Sequence, residues 1–143
     1  MGKILVADDE FGVRRLLVET FLEDQYEVET AENGEEAVRL FITYKPDLIL
    51  LDMKMPRLNG IEALRQIRAI DSRVSVIIMT AYGDHRDRQQ AKALGIVDYI
   101  DKPFDLIELR EQVREIFDEL SEKFIIKRNA NLKHHVSHDK KHG

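Results

Sequence analysis

No cysteine occurs among the 143 residues, which excludes disulfides, thiolate metal sites and a cysteine nucleophile, and fits a reducing compartment. Redox chemistry is not a candidate. Also missing are an 18-residue apolar run and a basic-apolar leader with a cleavage site, so the expectation is a soluble, cytoplasmic protein with no membrane contact. Proline is scarce: Pro46, Pro56 and Pro103 are the three, with Pro46 closing a helix and Pro56 shaping the loop after Asp52. Basic charge is also unevenly spread. The chain carries −5 overall, but Ser121 to Gly143 holds six Lys/Arg against two acids, a net of +4, leaving −9 for residues 1–120. A body that acidic lacks the clustered Lys and Arg that neutralise phosphates, so direct nucleic-acid binding is not expected. No helix-turn-helix or groove-reading element follows residue 120 either.

At 143 residues with 43% hydrophobic content, the chain suits one domain that buries its own core. Asp47-Leu48-Ile49-Leu50-Leu51-Asp52-Met53-Lys54-Met55-Pro56 is an apolar run that ends in a carboxylate and then breaks. Four aliphatics between turn signals read as a strand buried on both faces, as in the middle of a parallel sheet. Asn59-Gly60 then supplies a turn before the next helical pattern. Asp52 would stand above the sheet at the strand's carboxyl end, where open α/β folds bind ligands.

The other segments fall around that strand. Lys3 to Ala7 reads as a strand stopping at Asp8, Asp9 and Glu10, and Phe11 to Glu23 as an amphipathic helix with Arg14, Arg15, Glu19 and Glu23 on its outer face. Tyr26 to Thr30 alternates as an edge strand does, and a helix follows Asn33-Gly34 up to Tyr44. A third helix follows Gly60 to Ile70. Val74 to Met79 is a strand running into Thr80, Asp84 can cap a helix through Leu94, and Ile96 to Ile100 is a strand followed by Asp101, Lys102 and Pro103. Asp105 can cap a last helix with Leu106, Leu109, Val113, Ile116, Phe117, Leu120 and Phe124 at spacings of three and four.

Five strands alternating with five helices predict a doubly wound α/β fold: a parallel five-stranded sheet, order 2-1-3-4-5, with helices on two faces. In that order the first and third strands meet at the switch point, bringing Asp8, Asp9 and Asp52 together. Three carboxylates in one crevice call for a cation. Oxygen ligands without His or Cys select magnesium, with manganese as the alternative hard ion. Metal, ammonium from Lys102 and hydroxyl from Thr80 are what phosphoryl oxygens need, and Asp52 is then the nucleophile. Each part has a plainer reading: Asp8 and Asp9 as helix caps, Thr80 as a strand residue, Lys102 as a surface charge. Their joint position at four strand ends on one rim favours the chemistry.

Val6-Ala7-Asp8-Asp9-Glu10, Leu50-Leu51-Asp52-Met53-Lys54-Met55-Pro56 with Asn59-Gly60, Met79-Thr80-Ala81 and Asp101-Lys102-Pro103-Phe104 occur in that order. Over roughly Lys3 to Leu120 the chain thereby resembles the receiver domains of two-component response regulators, which are flavodoxin-like. That resemblance implies that Asp52 accepts a phosphoryl group from a histidine kinase or a histidine phosphotransfer protein. It implies magnesium on Asp8, Asp9, Asp52 and the Lys54 carbonyl, phosphoryl contacts from Thr80 and Lys102, and Tyr99 as the aromatic that turns inward. Ala7 stands where the family usually has valine. Within the family, Gly12 to Leu17, Leu51 to Lys54 and Val76 to Gly83 look most like the single-domain sporulation phosphorelay type, with enhancer-binding regulators close behind. The resemblance further implies partner docking by Phe11, Gly12, Arg14, Pro56, Tyr82, Pro103 and Phe104.

On this reading the protein is no enzyme beyond self-phosphorylation and slow autodephosphorylation. Lys54 and Tyr82, two places after Asp52 and Thr80, are candidates to shield the acyl phosphate from water. A monomeric relay is the main expectation; a receiver that dimerises on phosphorylation and the front part of a longer transcriptional regulator are the alternatives. An aspartate-nucleophile phosphatase fits less well, because its Asp-x-Asp after the first strand and its cap are missing. The expected division is 1–120 as receiver and 121–143 as an extension of the last helix and a basic, disordered tail. Four of the five histidines lie in that tail at irregular spacing, and no metal site is assigned to them.

Overall fold

In a computed structural model the structure describes residues 2–81 and 86–142, the side chains at 124, 127 and 131–142 excepted. The chain divides into two compact units, Met1–Phe104 and Asp105–Gly143. The first holds β1 (Lys3–Ala7), α1 (Phe11–Glu23), β2 (Glu27–Ala31), α2 (Gly34–Tyr44), β3 (Leu48–Asp52), α3 (Gly60–Ile70), β4 (Ser75–Ala81), α4 (Arg88–Ala93) and β5 (Asp98–Lys102); the second is α5 (Leu106–His142). All strand pairs are parallel, in the order β2-β1-β3-β4-β5. This is the expected doubly wound topology.

β3 is buried along its whole length, as an apolar run between two neighbours must be. On one sheet face Leu5, Ala7, Ile49, Leu51, Val76 and Ile78 share a core with Ala37, Phe41, Ile61, Leu64 and Ile67 of α2 and α3. By strand alternation Ile4, Val6, Leu48, Leu50 and Ile77 point to the other face, and all five are fully buried. α1 packs against β1 and β2 and buries Leu17, Thr20 and Phe21. β2, with its glutamates out, sits at the edge.

Two helix starts are fixed by their sequence. The Asn33 side chain accepts from the Glu36 N–H at 2.9 Å, and α3 opens on a capping box between Asn59 and Glu62, each cap being worth about 1 kcal/mol. The α3 start is also pressed onto β3. Gly60 donates its N–H to the Met53 carbonyl at 2.9 Å, and a Cβ there would meet the Asp52 carbonyl and come within 2.8 Å of Met53 Cα.

Several boundaries differ from the sequence expectation. β4 runs on to Ala81 and β5 covers Asp98–Lys102 rather than Ile96 to Ile100, because the ladder continues through Thr80↔Asp101 and Ala81↔Lys102. Thr80 and Lys102 therefore lie on the strands, not beyond them. α4 spans six residues from Arg88; the expected cap Asp84 lies outside the described residues. α5 runs to His142. No Pro or Gly interrupts 106–142, so nothing in the composition breaks backbone helicity there. Leu109, Val113 and Ile116 of α5 are buried, whereas Ile125 and Ile126 are exposed. Among the described residues no helix is long and apolar enough to cross a membrane.

Candidate functional site

The parallel register brings the functional ends together. Ala7 pairs with Leu51, Asp52 with Met79, and Ala81 with Lys102, so the ends of β1, β3, β4 and β5 share one rim. Asp8, Asp52 and Thr80 are buried there, while Asp9 and Glu10 are exposed. At the centre is Lys102. Its ammonium lies 2.6 Å from Asp8 Oδ2, 3.5 Å from Asp52 Oδ2 and 3.7 Å from Glu10 Oε1.

Asp8 is held on every side: its Oδ1 accepts from the Glu10 N–H at 2.8 Å, and its own N–H donates to the Ala31 carbonyl at 3.0 Å. Asp52 has fewer supports. Its Oδ1 accepts from the Lys54 N–H at 3.3 Å. Burial first, and then the charge of Asp8, push its carboxyl up to about 7, against the smaller opposing pull of Lys102. Burial alone would lower Lys102, but its hydrogen bond to Asp8 and the charges of Asp52, Asp8 and Glu10 outweigh that and leave it raised. The nucleophile candidate is thus short of positive charge.

A hard divalent cation fits this donor set. Carboxylate oxygens of Asp8, Asp9 and Glu10 lie within 4.8 Å of one another, no His or Cys competes among the described residues, and a cation would relieve the pressure on Asp52. Asp9, Lys54, Pro56, Asn59, Arg86 and Asp87 line an adjoining crevice of about 600 Å³. Approach from that side leads to the rim.

Asp8, Asp9, Asp52, Thr80 and Lys102, all expected at the site, are gathered at it, and Tyr99 is turned inward at 9% exposure. The Arg88 guanidinium lies 5.3 Å from the Tyr99 ring centroid. Of the residues expected to dock a partner, Phe11, Gly12, Pro56 and Pro103 are exposed and Phe104 is half-buried, while Tyr82 lies outside the described residues. Arg14 differs: its side chain is 12% exposed and turned inward. Glu10 and Arg14 are the members that sequence reasoning left unassigned to the site. Glu10 stood in the acid run, but nothing in sequence spacing marks it as a partner of Lys102, 92 positions away.

The model of the response regulator receiver domain matches residues 4–114. Sporulation initiation phosphotransferase F of Bacillus subtilis is 44% identical over 113 residues, covering 79% of this chain and 91% of that protein. Regulatory protein AtoC of Escherichia coli is 42% identical over 76% of this chain, which spans only 24% of AtoC. Among solved structures, response regulator TrrA of Thermotoga maritima in complex with Mg2+ and BeF aligns with a TM-score of 0.74 and 40% identity, covering 81% of this chain and 99% of that one. These likenesses agree with the rim of acids, threonine and lysine, and the chain belongs to the response regulator receiver domain family.

Proposed function

We propose that this protein is a phosphorelay receiver that accepts a phosphoryl group on Asp52 from a phosphohistidine of a histidine kinase or phosphotransfer protein. The observation that carries this reading is the buried Asp52 beside the Lys102 ammonium, on a rim that also holds Asp8, Asp9 and Thr80. An Asp52 carboxylate oxygen attacks phosphorus, the P–N bond breaks as the P–O bond forms, and the imidazole leaves with the electron pair. Lys102 and the Thr80 hydroxyl are placed to bind the phosphoryl oxygens. Asp8, Asp9, Asp52 and the Lys54 carbonyl are the proposed holders of magnesium, which supplies charge stabilisation when bound. Reaction requires the Asp52 anion, so the acids that repel it must be balanced first.

The relay role rests on the likeness to sporulation initiation phosphotransferase F, 91% of which the chain covers. The likeness to AtoC supports a second reading, the receiver of a longer regulator. The protein is not proposed as an enzyme beyond modifying and slowly demodifying itself. Incubation with a small phosphodonor and magnesium, read by intact mass, should add one phosphoryl group to the wild type and none to Asp52→Asn. An unmodified wild type would refute the reading. Light scattering on a sizing column separates the modes: a phosphorylated monomer favours the relay, a phosphorylation-induced dimer the switch.

A further inference from the structure

The guanidinium of Arg14 reaches back from the first turn of α1 to the turn that follows β1. Its Nη1 donates to the Asp8 backbone carbonyl at 2.9 Å, its Nη2 reaches Glu32 Oε1 at 3.3 Å, and the group lies 5.8 Å from the Phe11 ring centroid. Three neighbouring segments, the β1–α1 turn, α1 and the β2–α2 turn, are tied through one planar fork. The carbonyl in question belongs to the peptide joining Asp8 to Asp9. Its hydrogen bond therefore fixes the orientation of the link between two carboxylates that face the same rim. The other polar atoms of Asp8 are engaged by Glu10, Lys102 and Ala31, so Arg14 completes the set.

We propose that Arg14 is a positioning residue for the divalent-cation site, holding the Asp8–Asp9 peptide so that both carboxylates are ready before the cation arrives. This rests on the functional reading above. Charge and position make opposite demands here, and that separates them. As a nearby cation, Arg14 repels magnesium, and removing it would tighten binding; as the anchor of the Asp8 carbonyl, its removal loosens the ligand pair and weakens binding. Its pairing with Glu32 mutes the repulsion, while the fork geometry, which lysine lacks, keeps the anchor. Position should win.

Calorimetric titration of magnesium into the unphosphorylated wild type, Arg14→Met and Arg14→Lys measures this directly. Loss of a group that orients metal ligands weakens affinity by about 10-fold or more, and that is the result expected for Arg14→Met, whose stem preserves packing. Arg14→Lys restores the charge without the fork and should remain weaker than wild type. The magnesium concentration for half-maximal phosphorylation should rise in parallel. Equal or tighter binding by Arg14→Met overturns the proposal. If that variant does not fold, Arg14→Lys alone decides: weaker binding supports the anchor, and wild-type binding overturns it. A wild type that binds no magnesium removes the functional reading itself, and this inference with it.

Discussion

Replacing Asp52 by Asn should stabilise the protein in metal-free buffer, by an amount that grows as pH rises from 3.8 to about 7. The buried Asp52 carboxyl is pushed from its ordinary 3.8 up to about 7, by burial and by the charge of Asp8. Its folded value lies above its unfolded one, so the folded state binds more protons than the unfolded state between those two values. Stability therefore falls as pH rises through that window and the full penalty is present above it. At 1.36 kcal/mol per tenfold change in proton affinity, that rise corresponds to about 4 kcal/mol, which solvent screening reduces to roughly 2–4 kcal/mol. With roughly 3 °C per kcal/mol for a chain of this size, the Tm gain near pH 8 is about 6–12 °C. At pH 5 it is less than half of that. Urea unfolding followed by circular dichroism, in chelator at pH 5 and pH 8, gives both values. Magnesium should narrow the gap by stabilising the wild type, since it binds the folded form with its charge beside Asp52. Equal stability of the two proteins at pH 8, or a gain independent of pH, would refute the electrostatic account of the site.

Two further outcomes follow from the loops around Asp52. Lys54 is exposed two residues after Asp52, where its side chain can cover the acyl phosphate. Lys54→Asn should speed loss of the phosphoryl group by roughly 3–10-fold, equivalent to about 0.7–1.4 kcal/mol of barrier; mass-resolved decay at the wild-type rate would sink the idea. Gly60→Ala places a Cβ against the Asp52 carbonyl and Met53 Cα. It should destabilise by about 1–3 kcal/mol in urea and slow phosphorylation by moving the strand end; full stability with full activity would contradict the packing described.

Legibility in the sequence tracked the kind of force at work. The apolar run of β3 announced a buried central strand, and the residues just beyond such runs, Asp8, Asp52, Thr80 and Lys102, could be named because hydrophobic burial leaves a pattern in the chain. Period-two alternation placed β2 at the edge for the same reason. What spacing could not show is the reach of a long side chain. The sequence reading puts Arg14 on the outer face, although its spacing of three and seven residues from Leu17 and Phe21 sets it on their side of α1; its guanidinium extends back to a carbonyl six residues earlier. Ile96 and Val97 look like strand and so set β5 two residues early; Val97 is 49% exposed and donates its N–H to the Val76 carbonyl ahead of the ladder.

That displacement of β5 bears on how the site is specified. In a strand, neighbouring side chains point to opposite faces, so a one-residue slip against β4 would turn Lys102 away from Asp8 and Asp52 and bring Asp101 toward them. A fourth carboxylate would then replace the ammonium that touches three acids. The register Ala81↔Lys102 is thus set by more than hydrophobic pattern, because the wrong register would bury uncompensated negative charge. Tyr99 strengthens the choice, since the pairing that brings Lys102 to the acids also buries its ring. One register satisfies both the core and the charges. The edge strand is consequently coupled to the ionisation of the rim, which is the physical route by which a phosphoryl group arriving on Asp52 and drawing on Lys102 can be felt at the edge of the sheet.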